Sequence, residues 1–293
     1  MVTSAKPDLA LSPMERMLRA YARHAPVDLG KYRLVNALWR KFAGDNHQRD
    51  AKLLYGNFRI ECDLDELIQR QLHFFGTYFL ERESLDVWQS LSRTSETIFD
   101  IGANAGIYSL ASLAANPKAV VHAFEPTPEI AGRLRRTKER NNLASLVIAE
   151  VALSDHEGHG RLVRYDGGGG NGGMNYIVSP TDGDQRELVT MTSLDVYCRL
   201  NQLERIDLVK IDVQGLEPQV IRGASGLLGD GRIGTIFMEL NWAPPGQESA
   251  AETAIKLLTD FGFQFAASGH FPEWRQAGPW LRGHADIMAC RAG

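Results

Sequence analysis

Residues 97–107 read Thr-Ile-Phe-Asp-Ile-Gly-Ala-Asn-Ala-Gly-Ile, and the helix-like run Tyr108 to Ala115 follows. A short apolar strand that ends in an acid, turns on glycines and re-enters as a helix presents backbone N–H groups and a helix N-terminus to a ligand. A glycine turn alone also fits a dinucleotide site or a purely structural tight turn. Two acids sharpen the reading. Asp100 stands before the first glycine, where it would repel a pyrophosphate and attract a cationic amino-acid group. Glu125 ends the next strand in Ala-Phe-Glu-Pro, 23 residues after Gly102, where a carboxylate accepts hydrogen bonds from ribose hydroxyls. An acid at the end of each of these strands suits S-adenosylmethionine, whose ribose lies between a sulfonium amino acid and an adenine.

Outward from this turn the chain alternates strands and helices. AVVHAFEP (119–126) reads as a strand, PEIAGRLRRTKERNN (128–142) as a helix and LVIAEVAL (146–153) as a strand. IDLVKIDV (206–213), LEPQVIRGASGLL (216–228), TIFMELN (235–241), SAAETAIKLLTDFG (249–262) and ADIMACR (285–291) continue the alternation. Repeated βα units imply a mostly parallel sheet covered on both faces. Residues 1–90 read as a helical N-terminal cover with a short strand, GNFRIECDLD, and residues 91–293 as the cofactor-binding domain. Between Met14 and Phe42 there are seven basic residues against Glu15 and Asp28. Apolar residues (Met14, Met17, Leu18, Tyr21; Leu34, Val35, Leu38, Trp39) recur there at helical spacing. This predicts two short helices packed on the main domain with a solvated basic face; the competing reading is a surface that touches anionic lipid or an acidic partner.

The combination DIGANAG (100–106), AFEP (123–126), VALSD (151–155) and LVKIDVQGLE (208–217) resembles the FkbM family of S-adenosylmethionine-dependent methyltransferases. YGNFRIECDLD (55–65) and LHFFGTYFLERE (72–83) are also similar to that family, so the likeness runs roughly from Tyr32 to Met288. The resemblance implies a three-layer, Rossmann-like class I methyltransferase fold: a seven-stranded, mostly parallel sheet with the last strand antiparallel. It implies O-methylation of a hydroxyl on a sugar or polyketide-type natural product, with S-adenosylhomocysteine as the product. Asp100, Gly102, Ala103, Asn104 and Gly106 would surround the methionine part, Glu125 and Pro126 the ribose, and Val151 and Ala152 the adenine. The family usually has Glu where Gln214 stands. A carboxamide is neither a base nor a good cation ligand, so Gln214 is expected to be a nearly isosteric substitute that only accepts a hydrogen bond.

An alcohol needs its proton removed before it attacks a methyl group, so a base is expected near the carboxyl ends of the strands. Asp212 ends LVKID and Glu239 nears the end of TIFMEL; both are candidate catalytic acids, Asp212 also bordering the cofactor. With Asn241 they form an oxygen set suited to Mg²⁺, but no tight ligand motif is present and a metal is not the expectation. His73 is the candidate histidine base. His122, inside an apolar strand, reads as core, and His156 and His159 as a hairpin turn. Tyr78 and Trp242 are candidate acceptor-pocket residues. Gly167–Gly170, Asn171, Gly172 and Gly173 read as a surface loop or a lid.

Composition narrows the alternatives. The 293 residues are 44% hydrophobic and 23% charged with a net charge of −4, which excludes a wholly disordered chain and gives no pull toward nucleic acid. Three widely spaced cysteines, Cys62, Cys198 and Cys290, suit neither a disulfide framework nor a zinc site. No run is long and apolar enough for a transmembrane helix, no secretory signal is read, and a cytoplasmic enzyme is expected. The partner is expected to be a small-molecule or glycan hydroxyl acceptor, and the apolar helices before residue 90 offer a homodimer surface. The competing functions are an NAD(P)-dependent oxidoreductase and a cofactor-binding protein without turnover.

Overall fold

A computed structural model describes residues 11–26, 30–43, 47–163, 176–178, 187–241, 249–267 and 284–291. The glycine run 167–173 and Trp242 lie outside the described residues. The chain forms two compact units, one of residues up to Arg82 and one from Glu83 onward.

In the N-terminal unit, helices α1 (Pro13–His24) and α2 (Lys31–Ala43) precede a hairpin of β1 (Gln48–Lys52) and β2 (Arg59–Asp63), helix α3 (Leu67–Phe75) and a 3₁₀ turn at Phe79–Glu81. The strands pair antiparallel, with Asp50 opposite Glu61. Ser12 caps α1 by accepting from the Glu15 N–H, and Pro13 opens the helix. Leu18 and Ala22 of α1 pack with Val35 and Trp39 of α2 and Phe74 and Phe75 of α3.

Here the periodicity reading needs one adjustment. Of the four apolar residues grouped on α1, only Leu18 turns inward. Met14, Met17 and Tyr21 are 47%, 63% and 38% exposed. Glu15 takes the inward position instead, bonded to Arg49 (Nε 2.8 Å) and His73 (Nε2 3.1 Å). Burial raises the Glu15 pKa, but bonds from His73 and Arg49 outweigh it and hold the carboxyl at about 2. This ion-pair cluster fixes the rotation of α1.

The second unit opens with α4 (Arg82–Ser92), β3 (Thr97–Ile101), α5 (Ile107–Ala115), β4 (Val120–Phe124), α6 (Pro128–Arg140) and β5 (Leu146–Ala149). Short strands β6 (Ala152–Leu153), β7 (Gly158–Val163), β8 (Tyr176–Val178) and β9 (Leu188–Thr192) form a separate sheet of order β6-β9-β7-β8. Then come α7 (Leu194–Leu200), β10 (Ile206–Ile211), α8 (Glu217–Arg222), α9 (Ser225–Gly229), β11 (Ile233–Asn241), α10 (Ala250–Asp260), β12 (Phe263–Ala267) and β13 (His284–Arg291). The main sheet has seven strands in the order β12-β13-β11-β10-β3-β4-β5. Only the last strand, β13, runs antiparallel to its neighbours. This is the class I methyltransferase arrangement that the βα alternation and the resemblance predicted. LVIAEVAL is not one strand: β5 closes the edge of the main sheet, and after Glu150 the chain leaves to pair β6 with β9.

Strand register divides the sheet into two unlike faces. Phe99, Ile101, Phe124, Val209, Ile211, Ile236 and Met238 belong to a large apolar core that also includes residues of α7, α8, α9 and α10. Asp100 is in register with Lys210, Lys210 with Phe237, and Glu239 with Asp286. In-register side chains share a face, so the opposite face carries a polar row. Trp88 of α4 and Tyr108 of α5 pack edge-on or tilted against Phe237 on that face.

Candidate functional site

The polar row reaches the carboxyl ends of β3, β4, β10 and β11, where open α/β sheets bind ligands. The turn after β3 depends on Gly102. Its φ is +81°, and a Cβ there would lie 1.9 Å from the Asp212 carbonyl oxygen, so no other residue lets β3 and β10 approach this closely. Gly102 and Ala103 both donate backbone bonds to the Phe124 carbonyl, at 3.0 and 2.9 Å. Asn104 is left-handed at φ 47°, a conformation asparagine tolerates, and Gly106 caps α5.

Asp100 is buried. Its Oδ2 accepts from the Ser109 N–H (2.9 Å) and hydroxyl (2.6 Å), while its Oδ1 has no partner among the described residues. Burial pushes its pKa up, against the pull of Lys210 and Ser109. Glu125 is also buried. Its Oε2 accepts from the Asn104 N–H at 3.0 Å and its Oε1 from the Thr127 N–H at 2.8 Å. The Thr127 hydroxyl adds a third bond, leaving about one of the carboxylate's four lone pairs. Burial raises this pKa as well. Ala103 and Ala152 are buried, and Gly106 is too, while Pro126 and Val151 are half-buried. Val151 and Ala152 lie where the chain passes from the main sheet to β6.

Asp212 and Glu239 come together. A single amide nitrogen, Gln214 Nε2, donates to Asp212 Oδ1 at 2.8 Å and to Glu239 Oε2 at 3.0 Å. Lys210 Nζ donates to Asp212 Oδ2 at 2.8 Å and lies 4.4 Å from the centre of the Tyr108 ring. Burial alone would raise the Asp212 pKa. The Lys210 charge and the bonds from Glu239, Lys210 and Gln214 bring it down to about 2, so the group stays a carboxylate. Gln214 is therefore not the hydrogen-bond acceptor expected from the sequence but a donor clamp between two acids, a role that an ionised Glu at that position cannot fill.

Two neighbours extend the row. Ser84 of α4 donates to Asp286 of β13, which stands beside Glu239. Glu217, buried at the start of α8, accepts the Val213 and Gly215 N–H groups and so holds the loop after β10; burial raises its pKa. The sequence reading missed Lys210, Tyr108, Ser109 and Asp286. A lysine inside the apolar run LVKI was the available signal, because an unpaired charge there would be costly.

His73 is fully buried in the N-terminal unit, with Nε2 on Glu15 and its ring edge-on to Phe74; burial lowers its pKa. Tyr78 is half-buried at the 3₁₀ turn of the same unit. Asn241 ends β11, and its side chain is outside the described residues. Among the described residues no three His, Cys, Asp or Glu side chains are grouped to hold a metal ion. His122 Nδ1 meets the Tyr197 hydroxyl at 2.9 Å, and burial brings its pKa down to about 4. No helix among the described residues is long and apolar enough to cross a membrane.

Known proteins similar to this chain include methyltransferases. The chain is 30% identical over 164 residues to the 2-O-methyltransferase NoeI of Sinorhizobium fredii, a match covering 47% of this chain and 61% of that protein. It is 29% identical over 158 residues to the 31-O-demethyl-FK506 methyltransferase FkbM of Streptomyces tacrolimicus, covering 45% and 60%. The match therefore spans less than two thirds of either relative. Among solved structures, an O-methyltransferase from Bacillus cereus in complex with SAH is 14% identical, with a TM-score of 0.45 over 72% of this chain and 81% of that one. Residues 100–265 match the family model described as the Methyltransferase FkbM domain, more than half of the chain, and the protein belongs to that family.

Proposed function

We propose that this chain is an S-adenosylmethionine-dependent O-methyltransferase acting on a hydroxyl of a sugar or polyketide-type small molecule. The observation that carries the reading is the Asp212–Gln214–Glu239 cluster at the strand ends, in the strands beside a glycine turn flanked by Asp100 and Glu125. The names of the two relatives, both O-methyltransferases, support it. The residues fit the cofactor on two counts: Asp100 Oδ1 is a buried acceptor with no donor from the described protein, and Glu125 keeps a lone pair. Asp100, Gly102, Ala103, Asn104 and Gly106 would hold the methionine part, Glu125 and Pro126 the ribose, and Val151 and Ala152 the adenine. S-adenosylmethionine, when bound, supplies an already activated methyl group.

What this chain must add is an acceptor oxygen held in line and relieved of its proton. The Asp212–Glu239 pair is the proton acceptor. Gln214 fixes the spacing of the two carboxyls, and Lys210 keeps Asp212 ionised. Glu239 bonds to Asp212 and so carries the pair's proton, which leaves Asp212 as the carboxylate that takes up the acceptor's proton as the methyl transfers. Mg²⁺ has no part in this reading.

Calorimetry with S-adenosylmethionine, S-adenosylhomocysteine and NAD tests the cofactor, and release of S-adenosylhomocysteine with a panel of hydroxylated acceptors tests the reaction. Binding of NAD alone would replace the reading with an oxidoreductase. Tight S-adenosylmethionine binding without release on any acceptor would replace it with a protein that binds and does not turn over.

A further inference from the structure

The outward faces of α1 and α2 are unlike the rest of the surface. Four of the ten exposed large apolar residues among the described positions, Met14, Met17, Tyr21 and Leu34, lie on these two helices. Met14, Met17 and Tyr21 recur at i, i+3 and i+7, one stripe of α1. The stripe is not surplus core: the inward stripe of the same helix is Glu15, Leu18 and Ala22, and Glu15 is held in place by Arg49 and His73. Arg16 on α1 and Arg33, Arg40 and Lys41 on α2 are exposed on the same two helices. Arg40 is 4.0 Å from Asp65, an open surface pair. Glu15 is the one acid in the described parts of the two helices, and it is buried, so neither helix turns a carboxylate outward.

We infer that the α1–α2 face docks on an anionic lipid bilayer. Charge and composition select this partner. Basic side chains and apolar ones exposed on two helices that carry no outward acid of their own are what a headgroup layer of phosphates over acyl chains attracts. Arginine and lysine heads reach phosphates while Met, Leu and Tyr enter the boundary. The inference does not depend on the methyl-transfer reading, since none of these residues belongs to the strand-end site.

The test is flotation of the full chain with phosphatidylcholine vesicles, with and without phosphatidylglycerol, at low and high salt. Binding is expected only with phosphatidylglycerol and should weaken as salt screens the charges. Arg33→Gln with Lys41→Gln should lower the partition coefficient roughly thirtyfold, the equivalent of about 1 kcal/mol per charge at an anionic surface. Met17→Ser with Tyr21→Ser should lower it without changing its salt dependence. All four positions are exposed, so thermal melts of both variants should match the parent. No binding to anionic vesicles, or equal binding to neutral ones, overturns the inference. So does a concentration-dependent dimer that Met17→Ser dissolves, which would make the face a contact between copies of the chain.

Discussion

Gln214→Met is the sharpest test of the strand-end cluster, because it keeps the side chain's length and removes its donor. In the parent, one amide nitrogen serves Asp212 at 2.8 Å and Glu239 at 3.0 Å. A hydrogen bond to a charged group contributes about 1.5–3 kcal/mol, and here two such bonds are lost. The site is half-open, so water takes up part of the loss; counting one bond's worth, kcat/KM should fall about tenfold to a little over a hundredfold. A second readout separates positioning from mere stability. Loss of the Gln214 bond raises the Asp212 pKa from its value of about 2. The acid limb of the pH–rate profile should therefore move to higher pH. The assay is S-adenosylhomocysteine release across pH, with a thermal melt to show that folding is intact. A kcat/KM within about twofold of the parent, with the acid limb unmoved, refutes the clamp.

Three further outcomes are expected. Glu125→Ala should weaken S-adenosylmethionine binding by about 1–3 kcal/mol in calorimetry; an unchanged Kd would mean the ribose is held elsewhere. Gly102→Ala should cost roughly 3 kcal/mol or more in denaturant unfolding, through a Cβ driven into the Asp212 carbonyl at a left-handed φ, and a melt like the parent's would disprove the close approach. Glu15 has a folded pKa of about 2 against 4.5 for the free group. Its contribution is therefore complete above pH 4.5 and lost as the pH falls toward 2, on the order of 3 kcal/mol in all. Glu15→Gln should flatten that stretch of the stability profile, and an unflattened profile would place the acid sensitivity in other groups.

Much of the second unit was legible because its signals are local. The strand ending at Asp100, the glycine turn and the acid at Glu125 are each written within a few residues, and the alternation of strand and helix follows from apolar periodicity. Asp212 and Glu239 were found by asking which acids end parallel strands. Their joining through Gln214 was not readable, because it depends on a residue with left-handed backbone (φ 53°) whose side chain bridges Asp212 and Glu239. In the N-terminal unit the periodicity of α1 misled. Spacing alone puts Met14, Met17, Leu18 and Tyr21 on one broad apolar face, and nothing local says that Glu15 has partners 34 and 58 residues away.

Lys210 shows why the same partner problem has a different solution in the sheet. A lysine 4% exposed in the middle of a seven-stranded sheet is costly unless paired. In-register strands place Asp100 beside it, Asp212 two residues on shares its face, and Tyr108 of α5 lies over it. One cation thus faces two buried acids: it helps bring the Asp212 pKa down, and it opposes without cancelling the rise that burial gives Asp100. Lys210 and Asp212 compensate each other's burial on the face covered by α4 and α5, while the opposite face is apolar apart from His122, which is paired with Tyr197. Sheet parity, set by the same alternation that predicts the strands, separates the chemistry from the core.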